Sequence, residues 1–275
     1  MMQNGKALEE QLAALRRENE EAQQLCSQLL VQNGYPADYL ELHYHCERCN
    51  DTGYCNGHYC DCLQKEIAAA GIRKMNESAQ LQLCRFDQFS LDYYKGRTTE
   101  NGTDCYQTMK RILAACENYA ATFSKDSPSL LFVGRTGLGK SHLSLSIARE
   151  VLAKGYDVIY DSIINLLEQV EKEHFGRETA ELDTLGLLLK VDLLILDDLG
   201  TEFNTAFYLS AIYNIINTRL NRGLPTIIST NLELMALRSR YEERIVSRLF
   251  AMYETMYFLG SDIRLLKKKE SKPTI

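Results

Sequence analysis

The sequence predicts an α/β fold, a parallel sheet flanked by helices, with a small helical and cysteine-bearing domain ahead of it. Three observations carry this expectation. From about residue 105 onward, short apolar runs alternate with segments of helical period. One run, residues 191–196, is apolar at nearly every position, as a strand buried on both faces of a parallel sheet must be. A glycine-rich turn joins a strand to a helix at residues 134–141. With 275 residues, 45% of them hydrophobic and 25% charged, the chain is long enough for one such domain and a small appendage.

Taken in order, residues 6–31 read as a helix. Leu8, Leu12 and Leu15 share one face, while Glu9, Glu10, Arg16, Arg17, Glu18, Glu20 and Glu21 solvate the rest. A helix this polar needs a surface to dock on, either its own domain or another protein. Asn33-Gly34-Tyr35-Pro36 breaks the pattern, a cysteine-rich segment follows, and 63–80 reads as a second helix. The domain boundary is expected near residue 76, giving 1–75 and 76–275. Helices are then expected at 105–123, 142–154, 162–173, 207–221 and 242–253, the third capped by Asp161 or Ser162. Strands are expected at 129–133, 157–160, 191–196, 226–229 and 255–259. No run approaches the roughly 18 uncharged apolar residues of a membrane span, and residues 3–21 are too polar for a secretion signal. A cytoplasmic protein is expected. The net charge of −6 argues against a surface broadly committed to nucleic acid.

Gly134-Arg135-Thr136-Gly137-Leu138-Gly139-Lys140-Ser141 is a complete Walker A sequence. Its glycines let backbone N–H groups close on phosphates, Lys140 reaches the β/γ-phosphates, and the Ser141 hydroxyl suits Mg²⁺. The helix that continues at His142 adds its positive N-terminal end to the same anion. ATP with Mg²⁺ is the expected ligand. Leu193-Leu194-Ile195-Leu196-Asp197-Asp198 supplies the other half. A carboxylate at the end of a buried strand is costly unless it serves a cation. Asp197 is therefore expected to hold Mg²⁺ through water and Asp198 to orient the attacking water, with Glu202 the less favoured alternative. Thr230-Asn231 ends the next strand, where an amide reaches the γ-phosphate or merely starts a loop. Arg240, Arg244 and Arg248, at i, i+4 and i+8, are expected on one helix face, aimed at an anion. That anion is either a nearby glutamate or the γ-phosphate of a neighbouring subunit.

Of nine cysteines, Cys46, Cys49, Cys55, Cys60 and Cys62 crowd one segment. In a reducing compartment such clustering points to Zn²⁺ rather than disulfides. Cys46, Cys49, Cys60 and Cys62 are the expected ligands, with Gly53 and Gly57 turning the chain. The tight Cys60-Asp61-Cys62 half leaves Cys55 or His58 as a possible replacement.

With these residues assembled, the chain resembles the DnaC/DnaI-type helicase loaders, an AAA+ ATPase branch that includes the transposition helper IstB. The resemblance covers most of the chain. It rests on Phe86-Asp87-Gln88-Phe89, Leu131-Phe132-Val133-Gly134, Leu196-Asp197-Asp198-Leu199-Gly200 and Ser229-Thr230-Asn231. It continues in Arg244-Ile245-Val246-Ser247-Arg248 and Gly260-Ser261-Asp262-Ile263-Arg264, and Asp51-Thr52-Gly53 matches the zinc-bearing loaders. The resemblance implies an AAA+ sheet with a further strand between those of Walker A and Walker B. It implies Asn231 as sensor 1, Arg248 as arginine finger with Arg244 beside it, and Arg264 as a sensor 2-like contact. It implies a loader of the hexameric replicative helicase that self-associates through the ATPase domain and touches single-stranded DNA. Only residues 261–275 follow the last expected strand, too few for a full helical lid. The region 162–189 is where such proteins carry a DNA-facing insertion, but here Lys172, His174 and Arg177 sit among acidic residues. A transposase helper, a small-metabolite kinase and a nucleotide-holding adaptor without turnover are the alternatives.

Overall fold

The computed structural model describes residues 2–42, 44–55, 58–77, 84–176 and 183–270. Gly57, Arg177 and the expected end of the second helix at 78–80 lie outside them. The chain divides into two compact units, Met1–Gln64 and Lys65–Ile275, the division falling inside a helix.

The first unit begins with helix α1 (Met2–Gln32). Leu12, Leu15, Leu25 and Leu29 are exposed along it. A short hairpin follows, β1 (Tyr54–Cys55) paired antiparallel with β2 (His58–Tyr59), and then the start of α2 (Asp61–Glu77), whose residues from Lys65 on belong to the second unit.

The second unit is a five-stranded parallel sheet with helices on both faces. Its strands are β3 (Leu130–Val133), β4 (Val158–Ser162), β5 (Leu193–Leu199), β6 (Thr226–Thr230) and β7 (Glu254–Tyr257), in the order β4-β5-β6-β3-β7. β6 thus lies between the strands that lead to the two Walker motifs, the arrangement the resemblance implied. The helices are α3 (Cys105–Thr122), α4 (Lys140–Ala153), α5 (Ile163–His174), α6 (Thr184–Leu188), α7 (Ala206–Asn221), α8 (Leu234–Arg240), α9 (Glu243–Met252) and α10 (Ile263–Glu270). Ser162 caps α5, accepting from the Asn165 N–H.

The strand side chains divide between two cores as period-2 geometry requires. Leu131, Val133, Leu194 and Leu196 pack with α5, α7 and α9. Leu130, Phe132, Leu193 and Ile195 pack on the opposite face with α3 and α4. β4 is an edge strand, and Asn76 of α2 covers part of it. Its amide donates to the Val158 carbonyl (2.6 Å) and accepts from the Tyr160 N–H (3.1 Å), occupying groups that an open edge offers to other chains.

Candidate nucleotide site and cysteine cluster

In the first unit, the sulfurs of Cys46, Cys49, Cys60 and Cys62 all lie within 4.8 Å of one another. The Cys49–Cys62 separation is 3.4 Å and Cys46–Cys60 is 3.8 Å. Tetrahedral Zn²⁺ with Zn–S bonds of ~2.3 Å requires sulfurs about 3.8 Å apart, so the four thiols fit that ion. Neighbouring residues build the turn. Asn50 and Asp51 are left-handed (φ 47° and 58°), and Asp51 accepts from the His45 and Cys46 N–H groups at 2.9 and 2.8 Å. Those two bonds hold its carboxyl below the usual range. The Cys62 backbone N–H pulls the Cys60 thiol down to about 6, toward the thiolate a metal needs. Cys55 adjoins the Cys60 thiol without being one of the four, its sulfur 3.3 Å from the Arg48 carbonyl, and His58 is exposed outside the group.

In the second unit, β3 runs into the loop Gly134 to Gly139, whose last residue begins α4 in left-handed conformation (φ 87°). A Cβ there would stand 2.6 Å from the Phe89 ring, so glycine is needed for both backbone and space. No side chain caps α4, which leaves its first N–H groups to an anion. Lys140 is buried and donates to the carbonyls of Gly134 (2.6 Å) and Arg135 (3.0 Å). Burial lowers its pKa, while Asp198 and Asp197 act in the opposite sense.

Both acids end up on the lysine's side of the sheet. Asp197 is buried and doubly held, by the Tyr160 hydroxyl (2.7 Å) and by the Ser229 hydroxyl. Asp198 has φ 58° and lines a cavity of about 210 Å³ with Thr136, Lys140, Ser141, Phe89 and Arg264. Burial and the Asp197 charge raise the Asp198 pKa, and Lys140 and Arg264 oppose this. Glu202 is committed elsewhere. It accepts from the Gly200 N–H (2.8 Å) and the Tyr241 hydroxyl and pairs with Arg240 (3.3 Å). Asp198 is therefore the acid that faces the cavity.

The remaining expected residues divide. Arg264, at the start of α10, joins the cavity, and the Ile263 N–H donates to the Gly137 carbonyl (2.9 Å). Asn231 lies beside Gly134 and Arg135 on a neighbouring groove. Arg244 and Arg248 are on α9, outside the cavity lining. Arg248 donates to Asn217 (3.0 Å) and Tyr213 (3.4 Å), and Arg244 stacks on Tyr213 (4.2 Å) and pairs with Glu242. The expectation that Arg240 shares their helix face is corrected. Arg240 ends α8, the chain breaks at Tyr241 and Glu242, and Glu202 takes its guanidinium.

Residues 62–256 match the profile of the IstB-like ATP binding protein family. The chain belongs to this family. Within it, the chain is similar to the replicative helicase loader DnaC of Escherichia coli strain K12, at 24% identity over 187 residues, 68% of this chain and 69% of that one. It is equally similar to DnaC of Buchnera aphidicola subsp. Baizongia pistaciae, 24% over 187 residues, covering 68% and 76%. Among solved structures, the DnaC helicase loader superposes with a TM-score of 0.52 at 23% identity, over 66% of this chain and 99% of that one. AMPPCP-bound DnaA from Aquifex aeolicus gives 0.51 at 19%, over 67% and 58%. These likenesses show an AAA+ type P-loop fold. The family match begins at Cys62, so Cys46, Cys49 and Cys60 lie ahead of it.

The sequence marked Phe86-Asp87-Gln88-Phe89 as a motif but not its role, which is to seat the IstB-like P-loop together with Tyr94. The Tyr94 hydroxyl, fully buried, donates to the Leu138 carbonyl (2.9 Å). Phe89 stacks on Tyr94 and meets His142 edge-on, and His142 Nε2 lies 2.9 Å from the Arg85 carbonyl. The only signal was two aromatics in Phe86-Asp87-Gln88-Phe89, whose partners no local pattern names.

Proposed function

We propose that this chain is an ATP-dependent loader of the replicative DNA helicase, with ATP binding and slow hydrolysis serving as an assembly switch. The observation that carries the reading is the cavity in which Lys140, Ser141, Asp198 and Arg264 converge with Asp197 behind them, on a chain alike to helicase loaders over two thirds of its length.

In this reading Gly134, Arg135, Thr136, Gly137, Leu138, Gly139 and the start of α4 through His142 wrap the phosphates. Lys140 leaves the loop carbonyls for the β/γ-phosphates, and Ser141 and Asp197 serve Mg²⁺, Asp197 through water. Mg²⁺ supplies charge neutralisation on the phosphates. Asp198 accepts a hydrogen bond from the attacking water and aligns it, Asn231 senses the γ-phosphate, and Arg264 approaches the nucleotide within the same chain. Arg244 and Arg248, outside their own cavity, complete the site of a neighbouring copy. Residues 76–275 form the ATPase domain. Residues 1–75, stapled by Zn²⁺ on Cys46, Cys49, Cys60 and Cys62, hold the hexameric helicase, and the assembled ATPase domains contact single-stranded DNA in the cytoplasm.

Co-purification with the host's hexameric helicase, with and without ATP, tests the loader role. A stable complex is expected, and no complex under either condition overturns the reading. Lys140→Ala is expected to abolish binding of a fluorescent ATP analogue, and retained binding would remove the P-loop from the account. The family profile also favours a second reading, an IstB-like transposase helper. Capture of a transposase in place of the helicase would establish it.

A further inference from the structure

The two adjacent acids pose a geometric problem. Side chains alternate along a strand, so consecutive residues face opposite sides of the sheet. Leu193 and Ile195 belong to the α3/α4 core, Leu194 and Leu196 to the α5/α7/α9 core. Continued alternation would put Asp197 beside the P-loop helix and bury Asp198 in the opposite core, between Leu196 and Leu199 in sequence and among the side chains of α5, α7 and α9. The structure avoids this with a bulge. Pairing of β5 with β6 slips between Leu196 and Leu199, Asp198 turns left-handed, and Leu199 takes the next place in the α5/α7/α9 core. One extra residue thus returns Asp198 to the lysine's side.

A left-handed non-glycine residue in a strand persists only where its surroundings hold it. On β6, the fully buried Ser229 does so with a single hydroxyl. Its Oγ accepts from the Asp198 N–H (2.9 Å) and donates to Asp197 Oδ1. The other Asp197 oxygen accepts from Tyr160 (2.7 Å), so Asp197 keeps one tether if Ser229 is lost and the Asp198 backbone loses this one. We infer that Ser229 is a positioning residue, which sets the spacing between the metal-facing and the water-facing carboxylates by fixing the bulge. The inference rests on the ATPase reading of this site. Ser229 is not among the residues lining the cavity and acts on nucleotide only through the two acids.

The test uses the full chain with Ser229→Ala. Three readouts are taken: affinity for mant-ATP, single-turnover ATP hydrolysis with Mg²⁺, and a crystal structure of the variant. Binding is expected to match the parent, since the P-loop is untouched. Hydrolysis is expected to fall about 10- to 100-fold, the usual result of displacing a reacting group by an ångström or so. Asp198 is expected to leave the left-handed region. Should the alanine variant not fold, Ser229→Cys, nearly isosteric with a weaker sulfur acceptor, is expected to show the same loss in smaller measure. Hydrolysis at the parental rate, a left-handed Asp198 in the variant, or parallel loss of binding and hydrolysis would each overturn the inference. A parent that binds mant-ATP but never hydrolyses ATP would instead overturn the ATPase reading beneath it.

Discussion

Arg219→Met should destabilise the second unit by several kilocalories per mole. Arg219 of α7 is fully buried, and no carboxylate is among its hydrogen-bond partners. It donates to Thr226 Oγ1 (2.8 Å) and to the carbonyls of Leu188 (2.8 Å), Val191 (2.9 Å) and Pro225 (2.7 Å). Burial pushes its pKa down to about 10, so the guanidinium remains charged at neutral pH. Methionine fills similar space and donates nothing. Pro225 O still accepts from the Leu194 N–H (3.3 Å), and the Thr226 hydroxyl still reaches Leu224 O (3.3 Å). The loss falls on the Leu188 and Val191 carbonyls, at about 1–3 kcal/mol for each buried group left unpaired. Part of this is offset because a bare charge no longer has to be desolvated, leaving a net cost of roughly 2–4 kcal/mol. In a unit of this size each kilocalorie moves the midpoint by about 2–4 °C, so Tm should fall by about 4–16 °C. Thermal unfolding followed by far-ultraviolet circular dichroism reads this directly. Arg219→Lys should fall as well, because one ammonium cannot span acceptors set around a planar fork. An unchanged Tm for Arg219→Met would mean that desolvation cancels the hydrogen bonds, and the reasoning would fail.

Three further outcomes are expected. Purified protein should carry one zinc per chain by elemental analysis; Cys60→Ser should lose it and Cys55→Ser keep it, and equal retention in both would exclude the four-thiol site. Tyr94→Phe removes the hydroxyl that holds Leu138, a cost of about 1 kcal/mol, so mant-ATP should bind about fivefold more weakly. Unaltered affinity would show that the P-loop keeps its shape without that anchor. Arg248→Ala should bind ATP like the parent and lose only the hydrolysis stimulated by self-association. Parental turnover under stimulating conditions would exclude it as an arginine finger.

What the sequence disclosed follows from how locally each feature is encoded. The phosphate loop is contiguous, and its glycines are required by geometry that the loop itself imposes. The strand before Asp197 is buried on both faces, and four consecutive apolar residues, Leu193 to Leu196, announce that. The four clustered thiols are readable because Cys-x-x-Cys and Cys-x-Cys each form a local half-site. The bulge at Asp198 was not readable, since its anchor, Ser229, sits on the next strand of the sheet but far along the chain. The seat of the P-loop was hidden for the same reason: Tyr94 and Leu138 meet only in the folded unit.

The arginines show the limit most clearly. Spacing of i, i+4 and i+8 places three residues on one face only if the helix is continuous, and no glycine or proline between residues 236 and 243 warns of a break. The break is imposed from outside the segment. Glu202, buried beyond β5, draws in the Arg240 guanidinium and the Tyr241 hydroxyl together. Leaving that buried carboxylate with the Gly200 N–H as its remaining partner would cost more than an unbroken helix could return. The helix therefore stops at Arg240 and restarts at Glu243. This interruption leaves Arg244 and Arg248 on α9, stacked against Tyr213 and outside their own chain's nucleotide cavity. Loss of stimulated hydrolysis in Glu202→Gln, with mant-ATP binding intact, would show that the placement of these arginines depends on the break; stimulation at the parental level would show that α9 finds its position without it.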